Sequence, residues 1–263
     1  MDLGLTGKVA LVTGGSKGLG RAIAEELAKE GADVSICARG KQDLDEAAEA
    51  LRRYGVRVHA ISADASKGAD VTAVIESTMK AFGRIDILVN NAGDAWLSHA
   101  LNTTEEEWRY CLELNLMSAV RFTRETVPHM RKQGGGGRII NLSTLSAHTP
   151  LQTMHDYSAA KAGMLAFSKS AAFELAPDNI LINCVCPALI HSPLWEKSAD
   201  SAIGMFGNSR EEVYRNLANQ FVPLKRFGVA REVSGLVAFL ASDRASFITG
   251  SRFDVDGGMI KSI

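Results

Sequence analysis

The sequence predicts an α/β fold in which a parallel sheet is covered by helices on both faces, and three observations support this. Short runs that are apolar almost throughout alternate with amphipathic stretches of helical period, the pattern of strands buried on both faces and joined by crossover helices. The first apolar run breaks into the glycine-rich turn Thr13-Gly-Gly-Ser-Lys-Gly-Leu-Gly20, which leads into a helical pattern. No composition break, internal repeat or low-complexity tract divides the 263 residues, so one domain over 1–263 is expected.

Composition narrows the function classes. The chain is 46% hydrophobic and 22% charged, with a formal net charge of -1, the proportions of a soluble globular protein with a substantial core. That balance argues against nucleic acid or an anionic membrane as partner. No basic-then-apolar leader opens the sequence and no run approaches a membrane span, so a cytoplasmic protein is expected. Cys37, Cys111, Cys184 and Cys186 read as reduced core thiols.

In chain order, 9–13 reads as a strand, 19–29 as a helix with Ala22, Ile23 and Leu27 inward, and 34–38 as a second strand. A helix over 43–53 turns Leu44, Ala47, Ala48 and Leu51 inward; a strand at 57–62, a helix at 71–82 and a strand at 85–90 follow. Thr104-Glu-Glu-Glu107 is a capping box that starts a helix expected to run to about 131, where the glycines of 134–137 end it. Strands at 138–142 and 180–186 flank a helix over 156–175, and a helix at 231–241 precedes a short closing strand at 253–255. Between 187 and 221 periodicity is poor, and a mobile lid or binding loop, a substrate-loop insertion over about 188–221, is expected there.

Three sets of residues point to chemistry. Glycines at 14, 18 and 20 let the backbone approach a pyrophosphate, whose charge would sit on the free N–H groups of the helix start. The end of the second strand reads Cys37-Ala38-Arg39, where an NAD site would offer a carboxylate to the ribose. Arg39 and Lys17 are instead suited to a 2′-phosphate, which predicts NADP(H), with NAD(H) as the alternative. In the helix over 156–175, Tyr157 and Lys161 stack one turn apart. An ammonium beside a phenol favours the phenolate, so proton transfer near neutral pH is expected of Tyr157. Two residues four apart on a helix are also ordinary neighbours, and the pair is specific only in company.

Thr13–Gly20, Asn90-Asn-Ala-Gly93, Asn115 and Tyr157-x-x-x-Lys161 supply that company. Together they resemble the short-chain dehydrogenase/reductase family, in the branch of 3-oxoacyl-[acyl-carrier-protein] reductases and of glucose, sorbitol and hydroxysteroid dehydrogenases. The likeness covers nearly the whole chain. It implies a single-domain Rossmann fold, a doubly wound sheet of seven parallel strands with helices on both faces and its chemistry at the strands' carboxyl ends. It also implies a catalytic set of Asn115, Thr144, Tyr157 and Lys161: Tyr157 the proton donor, Lys161 holding the nicotinamide ribose and lowering the phenol's pKa, and Asn115 anchoring a proton-relay water. The implied cofactor contacts are Gly14, Ser16, Lys17, Gly18, Leu19, Gly20, Arg39, Asp64, Ala65, Asn91, Ala92, Gly93, Tyr157, Lys161, Pro187, Ala188, Ile190 and Ser192.

Two positions depart from the family pattern. Thr144 stands where a Ser is usual, and Ser143 is the competing hydroxyl; Pro187-Ala188 replaces Pro-Gly, with Ser192 in place of a Thr. Ser143, Trp96, His148, His155 and Trp195 are expected to line the substrate pocket, with Asp94, Met154, Met205 and Phe206 nearby. Neither histidine is expected to bind metal, because no carboxylate or cysteine completes a set around it in sequence. The expected function is reversible hydride transfer between NADP(H) and a carbonyl/alcohol pair. A 3-oxoacyl thioester, a cyclic ketone, a steroid and a sugar all stay open as substrates. NAD-dependent alcohol oxidation, or a catalytically silent nucleotide-binding relative, is the alternative. The helix at 231–241 and the tail 253–263 resemble subunit contacts, so a homotetramer is expected.

Overall fold

The apolar runs become strands β1 (Val9–Thr13), β2 (Asp33–Ala38), β3 (Val58–Ser62), β4 (Ile87–Asn90), β5 (Gly137–Leu142), β6 (Ile180–Pro187) and β7 (Arg252–Val255) in a computed structural model that describes residues 2–96 and 100–261. They form one seven-stranded sheet in the order β3-β2-β1-β4-β5-β6-β7, every pairing parallel. Strand order reverses between β1 and β4, which opens a crevice at the carboxyl ends, the usual ligand position in such sheets. This is the doubly wound Rossmann architecture expected from the sequence.

The helices are α1 (Gly18–Lys29), α2 (Lys41–Arg52), α3 (Gly68–Phe82), α4 (Glu105–Leu112), α5 (Ser118–Gln133), α6 (His155–Leu175), α7 (Pro193–Ser201), α8 (Arg210–Phe221) and α9 (Ala230–Ala241). Alternate strand residues face opposite sides, so the sheet carries two cores. Ala10, Val12, Val34 and Ile36 pack with Ile23 and Leu27 of α1, Leu44 and Leu51 of α2, and Val233 and Val237 of α9. On the other face Leu11, Leu88, Ile139 and Ile182 meet Val71 and Ile75 of α3, Phe122 of α5 and Leu175 of α6. The apolar face of α9 is therefore buried within the chain. Residues 262 and 263 of the expected contact tail lie outside the described residues.

The long stretch from Thr104 differs from a simple helix. Its capping box is present, with Glu107 N–H donating to Thr104 Oγ1 at 3.3 Å and Thr104 N–H to Glu107 Oε2 at 2.8 Å. Between α4 and α5, however, Glu113–Met117 forms a π-helical turn, an extra residue that hydrophobic spacing does not reveal. The second difference is 187–221, which is largely helical where an irregular loop is expected. Ser192 and Ser209 cap α7 and α8, accepting from Trp195 N–H and Glu212 N–H at 3.3 Å each. Ala199, Val213, Leu217 and Ala218 then pack with Leu189, Val222 and Phe227 in a small third core. Two short helices around the turn at Gly204 present too few apolar repeats for their period to show.

A polar chain crosses the core beneath the strands' carboxyl ends. Asn90 Nδ2 donates to Asn141 Oδ1 at 2.8 Å, and Asn141 Nδ2 donates to Ser168 Oγ at 2.7 Å. Ser168 Oγ–H donates to Met164 O at 2.7 Å, and the Cys184 thiol lies 3.0 Å from the same oxygen of Ser168. Replacing Asn141 by Leu removes one partner from each neighbour, and a buried group left unpaired costs about 1–3 kcal/mol. Asn141→Leu is expected to lower unfolding free energy by about 2–5 kcal/mol in a urea titration, and an unchanged midpoint would refute the role given to this chain.

Candidate active site

Two cavities open at the carboxyl ends of the strands. The first, of about 410 Å³, follows the turn after β1 and the ends of β2, β3 and β4; its walls include Gly14, Lys17, Arg39, Asp64, Asn91 and Lys161. The second, of about 380 Å³, lies between the turn after β5 and the pair α7–α8, with Thr144, Met154, Pro187, Trp195, Met205 and Phe206 among its walls. Leu19, Ser143, Tyr157 and Ser192 belong to both. The cavities thus meet at the Tyr157 side chain.

The glycine turn is shaped for a close approach. Gly14 has φ +66, and a Cβ on Gly20 would lie 2.2 Å from Gly14 O, so neither position accepts a larger residue without moving backbone. No side chain caps α1 at Lys17, which leaves the helix-start N–H groups facing the cavity for an anion. Thr13 fixes the opposite wall: its Oγ1 accepts from Asn91 N–H at 3.0 Å and Ala92 N–H at 2.9 Å, while Asn91 Nδ2 donates to Thr13 O at 3.0 Å. A dinucleotide fits this cradle. Ser16, Gly18, Leu19, Ala65, Ala92 and Gly93 line the same cavity.

Where the first cavity reaches the ends of β2 and β3 the cations are held by other partners. Arg39 Nη1 donates to Tyr110 Oη at 3.1 Å, and Lys17 Nζ lies 2.8 Å from Asp43 Oδ2. Asp64 accepts from Ser66 N–H at 3.1 Å and Ser66 Oγ–H at 2.8 Å. Burial pushes the Asp64 carboxyl up, but the Ser66 bonds and the nearby Arg39 and Lys67 charges leave it below the ordinary range.

Around Tyr157 the turn after β5 and the first turns of α6 converge. Thr144 lines the same cavity as Tyr157 and opposes the rise in the phenol's pKa, whereas Ser143 Oγ donates to Lys161 O at 3.1 Å and is buried. Of the two competing hydroxyls, Thr144 is the one that acts on the phenol. Lys161, 2% exposed, donates from Nζ to Leu142 O at 2.8 Å, and its nitrogen lies 5.8 Å from the centre of the Tyr157 ring. Asn115, in the π-helical turn, donates from Nδ2 to Asp94 O at 3.0 Å and Cys111 O at 3.2 Å, and accepts from Asp94 N–H at 3.2 Å.

Electrostatics corrects one expectation. Burial raises the Tyr157 pKa well above the ordinary phenol value, against the opposing Thr144 bond. Burial likewise lowers Lys161 from 10.5 to about 8. Desolvation outweighs the attraction between ammonium and phenolate, so the phenol keeps its proton at neutral pH instead of approaching ionisation.

Other expected residues lie elsewhere. Pro187, Ala188 and Ile190, expected on the cofactor, line the second cavity. Trp195 and Ser143 line it as expected, but Trp96, His148 and His155 do not. Trp96 stacks on Tyr110 at 5.8 Å, and His155 packs on Trp108 at 5.6 Å with a nitrogen 2.9 Å from Thr103 Oγ1; each ring has found a partner outside the cavity. His148 faces Cys186 and Asp254, so the expectation that no cysteine or carboxylate surrounds it fails. Sequence reasoning missed Thr13, Asp43, Tyr110, Ser198 and Leu217. Asp43, four residues past Arg39 in the first turn of a helix, is the one with a legible signal.

A family model described as enoyl-(acyl carrier protein) reductase matches residues 14–260. The chain belongs to the short-chain dehydrogenase/reductase family. It is 36% identical over 253 residues to the 3-oxoacyl-[acyl-carrier-protein] reductase FabG of Staphylococcus epidermidis, a match that covers 96% of this chain and 98% of that one. Its fold is similar to that of L-sorbose reductase from Gluconobacter frateurii complexed with NADPH and L-sorbose, with TM-score 0.97, 41% identity and 100% of both chains covered. It is also similar to a single-substitution variant of actinorhodin polyketide ketoreductase with NADPH, with TM-score 0.92, 31% identity and coverage of 97% and 98%. As a short-chain dehydrogenase/reductase, the protein is an NAD(P)-dependent oxidoreductase. None of its described helices is long and apolar enough to cross a membrane.

The depressed Lys161 pKa makes a stability statement. The folded state binds this proton less tightly than the unfolded chain, so burial of Lys161 costs stability below about pH 8, and the cost fades as pH rises towards 10.5. Unfolding free energies of Lys161→Met and wild type are expected to converge by a few kcal/mol across that interval, at about 1.4 kcal/mol per tenfold change in proton affinity. The variant's relative advantage is largest near neutral pH, and a difference independent of pH would show that the amine is not desolvated.

Proposed function

We propose that the protein reduces a neutral ketone to a secondary alcohol with NADPH, reversibly, and that Tyr157 is the proton donor. The observation that carries this reading is the meeting of the two cavities at the Tyr157 side chain, with Thr144 in the wall beside it. When bound, the nicotinamide supplies or takes up the hydride. Thr144 and Tyr157 both direct hydroxyl protons at a carbonyl oxygen entering from the second cavity, and Tyr157 transfers its proton as negative charge develops there. A phenol that stays protonated at neutral pH suits the donor role. Lys161, with a pKa of about 8, holds a proton that is labile near neutral pH, and Asn115 fixes the backbone of Asp94 beside it.

NADP(H) is favoured over NAD(H) by Lys17 and Arg39 at the cofactor cavity and the absence of a carboxylate at the end of β2. The 41%-identical sorbose reductase and the 31%-identical ketoreductase, both with NADPH, support the same choice. Asp43 favours the NAD reading, because its carboxylate competes for Lys17.

The second cavity favours an apolar carbonyl compound. Leu145, Leu151, Met154, Ile190, Trp195 and Phe206 dominate its wall, no charged side chain is among its described lining residues, and the polar points are hydroxyls. A cyclic ketone or an acyl chain suits such a wall better than a sugar. The homotetramer expected from the sequence belongs to the same proposal, and a monomer mass in sedimentation at micromolar protein would refute it.

Tyr157→Phe is expected to keep the fold and lose about 10²–10⁴-fold in kcat with NADPH and a cyclic ketone, and full activity would sink the assignment. Arg39→Asp is expected to weaken NADPH binding at least about tenfold through a lost charge-assisted pair, with NADH much less affected. Equal effects on both cofactors, read from fluorescence titrations, would remove Arg39 from the phosphate site.

A further inference from the structure

Outside the two cavities, one cluster of ligating side chains is built largely on rigid structure. Cys186 and Asp254 are register partners in the parallel β6–β7 ladder, so their side chains leave the sheet side by side on one face. His148 reaches them from the turn after β5, four residues beyond Thr144, with Nε2 3.5 Å from Asp254 Oδ1. One ligand atom from each residue lies within 4.8 Å of the other two.

We propose that His148, Cys186 and Asp254 form a site for a transition-metal cation of the zinc class, with water completing a tetrahedral set. Nitrogen, thiolate sulfur and a single carboxylate oxygen are the donors that zinc and cobalt(II) select over calcium or magnesium. Around a tetrahedral zinc, ligand atoms sit roughly 3.3–3.8 Å apart. The His148–Asp254 edge already has that length, and no edge exceeds 4.8 Å.

Independent observations support the assignment. Both His148 nitrogens are buried and without a hydrogen-bond partner, a state that costs energy unless something is bound there. Arg252 Nη2 lies 3.1 Å from Asp254 Oδ2, so the second carboxylate oxygen is already held and the first is left for the ion, as outer partners do at metal sites. The arginine charge also opposes a cation, and the site therefore needs the thiolate. Coordination replaces the Cys186 S–H proton by the metal and releases it to solvent. Asp254 stays partly exposed, which gives a hydrated ion its way in. Because His148 follows the turn that carries Thr144, an ion here would pin that turn to β6 and β7.

Cobalt(II) titrated into chelator-treated full-length protein tests the proposal without turnover, so the result is separate from the fate of the ketone-reduction reading. The expected result is a thiolate-to-cobalt charge-transfer absorption that saturates at one ion per chain and is displaced by zinc. That band should vanish in Cys186→Ser, weaken at least about tenfold in apparent affinity in His148→Gln, and survive in Cys184→Ala. Absence of the band in the wild-type protein, or its persistence in Cys186→Ser, would overturn the site. Because the wild-type result decides alone, a variant that fails to fold does not rescue the idea.

Discussion

Burial of the Lys161 amine is the constraint on which the candidate site depends. An amine 2% exposed must donate to something, and its partner is the carbonyl that ends β5. Ser143 returns the bond to the Lys161 carbonyl, so the two elements are latched in both directions. With that seam closed, the turn bearing Thr144 and the helical turn bearing Tyr157 have one relative position. The hydroxyl pair follows from the latch rather than from contacts of its own. Desolvation of both ionisable groups is the cost of this closure, and it sets their proton affinities more strongly than their mutual attraction does.

Much of the sheet was legible in the sequence because strands buried on both faces leave near-continuous apolar runs. Their ends were less so, for electrostatic reasons: Arg57 belongs to a bridge with Asp33 rather than to β3, and Asp86, which accepts from Val9 N–H and pairs with Arg84, delays the start of β4. The glycine turn after β1 was readable from spacing alone, since glycine is needed where backbone meets backbone. The substrate side was not. Trp96, His148 and His155 lie close in sequence to the site, yet none of the three rings lines the cavity, and Ser198 and Leu217 enter it from helices whose short period hid them. Local signals locate residues that act through the backbone; side chains that act by direction need the tertiary structure.

The first cavity, where it reaches the end of β2, shows competition among charges rather than a simple positive patch. Arg39 and Lys17 are each engaged, one with a phenol and one with a carboxylate. Any anion arriving there would exchange these existing charge-assisted bonds for its own, and only the difference would contribute to affinity. Tyr110 also stacks on Trp96, so the grip on Arg39 is connected physically to the segment that follows β4.

The π-helical turn at Glu113–Met117 has a further consequence for how the chain tolerates change in length. It holds one residue more than an α-helical turn would, and Asn115 sits at its centre. Excising a single residue there would restore regular winding and leave both flanking helices intact as secondary structure. It would leave the faces of the two flanking helices nearly where they are, because the wide turn already takes up its extra residue within one revolution. Trp108 and Tyr110 would keep their places beside His155 and Arg39, and the loss would fall on the turn itself, where the amide of Asn115 meets Asp94. A deletion that improves the helix would thereby remove the amide that holds the backbone of Asp94, and the irregular winding is a local device confined to that turn.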